Sequence, residues 1–144
     1  MIRSKAVIPS LLALTLLGIA ACAPAGEGPS SSSSYTVLVD LYSGRDSPRV
    51  DLSSPAADEL YNELDGRAGE FSDASEPAPA LGFRGFVVTP GGESLPVLRV
   101  TEESVYAVRG DKHELLADPE GRYYRLILDD VSSELAPEVL SALP

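Results

Sequence analysis

Arg45 lies in a turn and Arg49 just after it, and beyond them Ser53 and Ser54 precede Pro55 at what reads as a helix start. A guanidinium fork and a set of unpaired backbone N–H groups both suit a carboxylate or a phosphate, so Arg45, Arg49 and Ser54 form a candidate anion site. Arg84 joins them because it lies among glycines, in Gly82-Phe83-Arg84-Gly85-Phe86, where a backbone can approach another group closely. The chain holds 22 Asp plus Glu against 11 Lys plus Arg, which makes each basic residue conspicuous. The competing expectation is that Arg45 and Arg49 pair with Asp40, Asp46 or Asp51 and order the turn, and that Arg84 is structural. His113 is the only histidine, so neither a histidine-based triad nor a multi-histidine zinc site can be assembled, and the ring beside Lys112 and Glu114 is expected to face solvent. Glu102-Glu103 and Asp129-Asp130 are neighbours in sequence. Adjacent positions point to opposite faces of a strand, or about 100° apart on a helix, so neither pair has the facing geometry of acid/base catalysis, and both are expected on solvated surface. Arg109-Gly110-Asp111 reads as turn chemistry. No catalytic residue, metal or cofactor is implied.

The most reactive side chain is the thiol of Cys22, the only cysteine, which excludes an intrachain disulfide. Arg3 and Lys5 precede an apolar stretch through Leu11, Leu12, Leu14, Leu16, Leu17 and Ile19, the layout of an export signal. That stretch is about a dozen residues, short of the roughly 20 needed to span a bilayer as a helix. It ends in Ile19-Ala20-Ala21-Cys22, which resembles the lipobox of bacterial lipoproteins. The resemblance implies that the thiol takes up a diacylglyceryl group, that the chain is cut before Cys22, and that the attached lipid holds the product on a membrane. Two or three acyl chains, at about 0.8 kcal/mol per buried CH₂, are sufficient for a firm hold. Residues 1–21 are then a cleaved signal and 22–34 a Ser/Pro/Gly tether that sets the domain on the order of 20 Å from the lipid. Ala at position 23, rather than Asp, resembles the sorting signal for the outer membrane of Gram-negative cells, on its periplasmic side. In other envelopes the address would be the outer face of the cell membrane.

Behind these residues stands one domain, residues 35–144, of roughly 110 residues. With 44% hydrophobic residues but 12 Gly, 12 Pro and only 6% aromatics, the expected core is small and the connections long. The formal charge is −11, and loss of Arg3 and Lys5 makes the mature chain about two charges more negative. Such a field repels phosphate backbones, so nucleic acid is excluded as a partner, and so is an electrostatic dock on anionic lipid.

Tyr35 to Tyr42 alternates with Val37, Val39 and Leu41 on one face and predicts a strand, followed by a turn over 43–48 and a short extended return over 49–52. Ser54 is read as a helix cap, with Pro55 at the first helical position and Ala57, Leu60, Tyr61 and Leu64 as the buried stripe. Gly66 is expected to end that helix in a left-handed conformation. Residues 67–80 read as a solvated loop. Runs at 82–89, 95–100 and 105–109 predict an antiparallel meander, and a turn at 110–112 leads to one more strand over 113–117. Asp118-Pro119-Glu120 predicts a second helix over 119–130, although Tyr-Tyr-Arg-Leu-Ile-Leu also fits a strand. A last amphipathic piece, 133–143, turns Leu135, Val139 and Leu140 inward. The sum is an α+β fold, an antiparallel sheet of about four to five strands packed against two to three helices.

Tyr42-Ser43-Gly44-Arg45 with Pro48, and Gly82-Phe83-Arg84-Gly85-Phe86, resemble a group of small bacterial proteins without an established activity, whose first strand ends in Ser-Gly-Arg-Pro-Asn-Pro. Asp46 and Ser47 stand where that motif has Pro-Asn. The resemblance implies a shared fold and no reaction. The functional expectation is a lipid-anchored, non-enzymatic envelope protein that binds a protein or another envelope component. The alternative is an enzyme or small-ligand binder acting on an anion through Arg45, Arg49 and Arg84.

Overall fold

A computed structural model describes residues 34–42, 46–75 and 81–144. Cys22 and Arg45 lie outside the described residues, as do the export signal and nearly all of the tether. The elements run in the order β1 (Tyr35–Tyr42), β2 (Arg49–Leu52), α1 (Ser54–Gly66), β3 (Ser72–Asp73), β4 (Gly82–Pro90), β5 (Val97–Val100), β6 (Ser104–Arg109), β7 (Lys112–Ala117), α2 (Arg122–Val131) and α3 (Pro137–Leu140). The strands form one antiparallel sheet ordered β2-β1-β4-β5-β6-β7-β3. This confirms the α+β class with an antiparallel sheet and three helices. The sheet has seven strands rather than four to five, because the short extended return Arg49–Leu52 pairs with β1 as a strand of its own and Ser72 and Asp73 in the expected loop pair with Leu115 and Glu114 at the other edge. Two exposed polar residues carry no apolar alternation from which a strand could be read.

The alternation in β1 decides which face is buried. Val37 and Val39 are fully enclosed and lie in register with Val88 and Phe86 of β4, and Leu98, Val100, Val105, Ala107 and Leu116 continue the same face across the sheet. Ala57, Leu60, Tyr61 and Leu64 of α1 and Tyr123, Tyr124, Ile127 and Val131 of α2 cover it. Each large apolar side chain fully buried there contributes about 1.5–3 kcal/mol. β2 and β3 occupy opposite edges, so α1 carries the chain across that face. Among the described residues no helix packs on the opposite face.

Three local expectations shift. α1 is capped by Ser53, not Ser54: Ser53 is extended, at φ −61° and ψ 146°, and its hydroxyl accepts the Ala56 N–H at 3.4 Å. Gly66 is not left-handed, since the left-handed glycines of the described chain are Gly82, Gly85, Gly110 and Gly121. The backbone at Arg67 stays at φ −107° and ψ 14° and runs into a 3₁₀ turn over Ala68–Glu70, so no reversal is needed at Gly66. The second helix begins at Arg122 because Asp118 to Gly121 closes a turn, with the Gly121 N–H on the Asp118 carbonyl at 2.9 Å. The buried Asp118 carboxylate then accepts the Tyr123 N–H at 3.0 Å, so the expected capping residue does cap, one turn ahead of the helix. At the C-terminus Leu135 is buried and Val139 packs on the core, but Leu140 is exposed. The final helix is only four residues long, too short to turn all three inward.

Candidate functional site

Asp40 lies on β1 between Val39 and Leu41, so strand alternation turns it to the helix-free face. There the register breaks: Val39 pairs with Phe86 and Leu41 with Phe83, so Arg84 and Gly85 of β4 both stand opposite Asp40. This is a β-bulge, which bends its strand and re-aims the side chains beside it. Arg84 Nη2 donates to Asp40 Oδ1 at 2.8 Å.

The second partner of Asp40 comes from β5, on the far side of β4. Arg99 faces the helix-free side because its neighbours Leu98 and Val100 face the core. To reach Asp40 its side chain has to cross β4, and it does so beside Gly85. A Cβ on Gly85 would fall 3.0 Å from Arg99 Cγ and 2.8 Å from the Val100 carbonyl oxygen, and the residue holds φ +125°. Only glycine combines that conformation with that clearance. Arg99 Nη1 then donates to Asp40 Oδ2 at 2.5 Å. The glycine context of Arg84 was therefore informative, although the group that comes close is Arg99.

Asp40 is 6% exposed. Burial pushes its carboxyl upward, but the hydrogen bonds and charges of Arg84 and Arg99 outweigh it, and the group is held below its ordinary value. Beside the two arginines is a hollow of about 320 Å³, also lined by Thr101, Ser104, Tyr106 and Leu115. Thr101 Oγ1 accepts the Ser104 N–H at 3.1 Å and lies 3.0 Å from Ser104 Oγ, which fixes the β5–β6 turn at its rim. Tyr106 OH lies 2.7 Å from His113 Nδ1. His113 is thus half-buried and hydrogen-bonded rather than simply solvent-facing, because its place on β7 sets it beside Tyr106 on the same sheet face.

The remaining sequence candidates are spread out. Arg49 is exposed on the edge strand β2, in register with Leu38, so it shares the helix-free face but does not line the hollow. Ser54 is the exposed first residue of α1. An anion does occupy that helix start, and it belongs to the chain: Asp130 Oδ2 accepts the Ser53 N–H at 2.8 Å, and Asp130 Oδ1 accepts the Ser53 hydroxyl at 2.6 Å. Asp130 was expected to be merely solvated; its position at the end of α2 carries it to the start of α1. Glu102, Glu103 and Asp129 are exposed as expected, and Gly110, at φ +59°, makes the two-residue turn between β6 and β7.

On the helical side, wider grooves run between α1 and α2, and their basic residues are engaged: Arg122 pairs with Glu63, Arg67 with Glu70, and Arg125 donates to the Glu120 carbonyl. Among the described residues no three His, Cys, Asp or Glu side chains gather to hold a metal ion, and no helix is long and apolar enough to cross a membrane. Arg99 was not singled out from sequence, and Asp40, Gly85 and Asp130 entered only as a partner for Arg45 or Arg49, a neighbour of Arg84 and solvated surface. Strand parity alone would have put Asp40 and Arg99 on the helix-free face. What parity does not give is the strand order that makes β4 the neighbour of both. No protein-family model, no curated protein and no solved structure matches the chain.

Proposed function

We propose that the chain is a lipid-anchored envelope protein whose domain is a non-enzymatic binding module, and that it binds through the helix-free face of its sheet. The observation that carries this reading is the Arg84–Asp40–Arg99 cluster. Two guanidiniums share one buried carboxylate beside a hollow on that face. Supporting the anchor are the export layout of residues 1–21, the Ile19-Ala20-Ala21-Cys22 lipobox and the Ser-rich tether. A domain that reaches its partner from a flexible leash needs no fixed orientation on the membrane. The membrane is then one partner, through the lipid on Cys22, and an envelope component is the other.

The alternative, an enzyme or small-ligand binder acting on an anion through Arg45, Arg49 and Arg84, draws less support. Arg84 is engaged by Asp40, Arg49 lies out on the edge strand, and the helix start near Ser54 already holds the carboxylate of Asp130.

Crosslinking in intact cells, followed by capture of the protein, tests the proposal. Cys22→Ser should release the chain from the membrane fraction while preserving its crosslinked partner, and Arg99→Gln should lose the partner while remaining on the membrane. A partner that survives every change on the helix-free face would place binding elsewhere, and an unmodified Cys22 thiol in material from the native host would remove the anchor.

A further inference from the structure

We infer that β2 is a self-association strand: two copies of this chain pair antiparallel along it, Arg49 of each opposite Asp51 of the other, with the two Val50 side chains meeting at the centre. The inference goes beyond the binding face and does not rest on the Arg84–Asp40–Arg99 cluster.

β2 ends the sheet, with β1 on one side and, among the described residues, no strand on the other. Its ladder fixes which backbone groups point outward. The Val39 N–H donates to the Pro48 carbonyl at 2.9 Å, so Val39 and Pro48 form a hydrogen-bonded pair. Antiparallel pairs alternate, which makes Val37–Val50 a bonded pair and leaves Leu38–Arg49 and Thr36–Asp51 as the non-bonded ones. The N–H and C=O groups of Arg49 and Asp51 therefore point away from β1, toward the open edge. Ser53 has the same parity, but its N–H already goes to Asp130, which bounds the edge at that end.

A second β2 running antiparallel along this edge can centre on Arg49, on Val50 or on Asp51. Centring on Arg49 opposes two guanidiniums and centring on Asp51 opposes two carboxylates, and like charges directly opposite destabilise a pair. Centring on Val50 sets Arg49 against Asp51 twice, by symmetry, and each such pair exchanges two main-chain hydrogen bonds as well as an ionic contact. Val50 is half-buried, and it then meets its own copy in the closer, non-bonded kind of pair. Arg49 and Asp51 are exposed, and among the described residues neither side chain is engaged in an ion pair or hydrogen bond. Charges on an edge strand ordinarily keep its own kind away. Here they are of opposite sign and two residues apart, a pattern that a two-fold rotation makes complementary to itself. The other edge has no such pattern, since β3 is only Ser72 and Asp73. Pairing through β2 makes one continuous sheet with the Arg84–Asp40–Arg99 clusters of both copies on the same side, so that a partner of that face is held at two points.

The test is disulfide trapping of the full chain in detergent, with micelles in excess over chains and Val50→Cys as the probe. Facing Cα atoms about 4.5 Å apart in a non-bonded pair lie within reach of a disulfide. The chain without the probe controls for Cys22, and Glu93→Cys, in the exposed β4–β5 turn, controls for random collision. Val50→Cys should yield a covalent dimer roughly tenfold faster than Glu93→Cys, with the bridge mapped to position 50 by peptide mass. Adding Arg49→Asp, or Asp51→Arg, should each slow trapping roughly tenfold by setting like charges opposite, and adding both together should restore it. A mixture of the two single charge variants should give the heterodimer in preference to either homodimer, because their charges then match. Trapping at position 50 no faster than at position 93, or equal trapping in every charge form, would overturn the pairing. A chain that stays monomeric while its β2 edge takes up a foreign extended peptide would overturn it too. If trapping fails while the crosslinked partner still depends on Arg99, only the β2 pairing falls. If trapping follows the charges and no partner is captured, the dimer stands without the proposed binding face.

Discussion

Asp40 makes the stability of this domain depend on acidity in a way that can be worked out in sign. Its folded-state carboxyl titrates below the ordinary value of 3.8. The stabilisation is therefore complete above that value and disappears as the pH falls through the lower folded-state value. Asp40→Asn should cost about 2 kcal/mol near neutral pH, because two partly solvated guanidiniums lose their counter-charge. Urea unfolding of both proteins from about pH 7 to about pH 2 should show that gap closing only in the acid range; a constant gap would mean the carboxylate charge is irrelevant. Gly85→Ala should cost about 3 kcal/mol, the sum of a strained φ and a clash with the Val100 carbonyl and the Arg99 stem, read as a lowered thermal midpoint. If Gly85→Ala costs as much in an Arg99→Ala background as alone, the clash lies at the backbone oxygen rather than the side chain. Arg84 stood out in the sequence as a rare cation, but Arg99 and the carboxylate they share did not. Asp40 was weighed as a partner for Arg45 or Arg49, its neighbours along the chain, whereas the sheet brings it Arg84 and Arg99 from much further away.

At the scale of elements, α1 and α2 are tied at a point that neither helix announces. Asp130 closes on both the backbone and the hydroxyl of Ser53, which in turn caps α1. Ser53→Ala and Asp130→Ala should each lower stability by about 1 kcal/mol, and the double variant should lose less than the sum, because both remove one shared contact. Additive losses in thermal melts would show the link to be idle. Leu60→Asp should abolish cooperative unfolding altogether, since Leu60 is fully enclosed between α1 and the sheet. The existence of β1, α1, the meander and α2 was legible because each carries its own hydrophobic period. The boundaries were less so, and for a reason in each case. A cap can belong to either of two serines until its distant partner is known. A two-residue edge strand is specified by its neighbour's hydrogen bonds rather than by its own side chains. Gly121 marks the true start of α2, since a Cβ there would meet the Glu102 carbonyl at 2.8 Å, but that glycine reads in sequence only as one more turn residue.

Among the described residues, the two faces of the one sheet differ: helices and core lie on one side, and the Arg84–Asp40–Arg99 cluster with its hollow on the other. The strand order also places β1, the first strand of the fold, between β2 and β4 rather than at an edge. Tyr35 is in register with both Leu52 and Pro90 from its first residue onward, directly after Ser34. Tension transmitted through Ser34 would thus run lengthwise along a strand gripped on both flanks, and the two ladders would have to shear together instead of unzipping rung by rung. A leash fastened there can be tugged without peeling the fold. Force spectroscopy pulling between residues 34 and 144 should accordingly register a single abrupt rupture, not a gradual give.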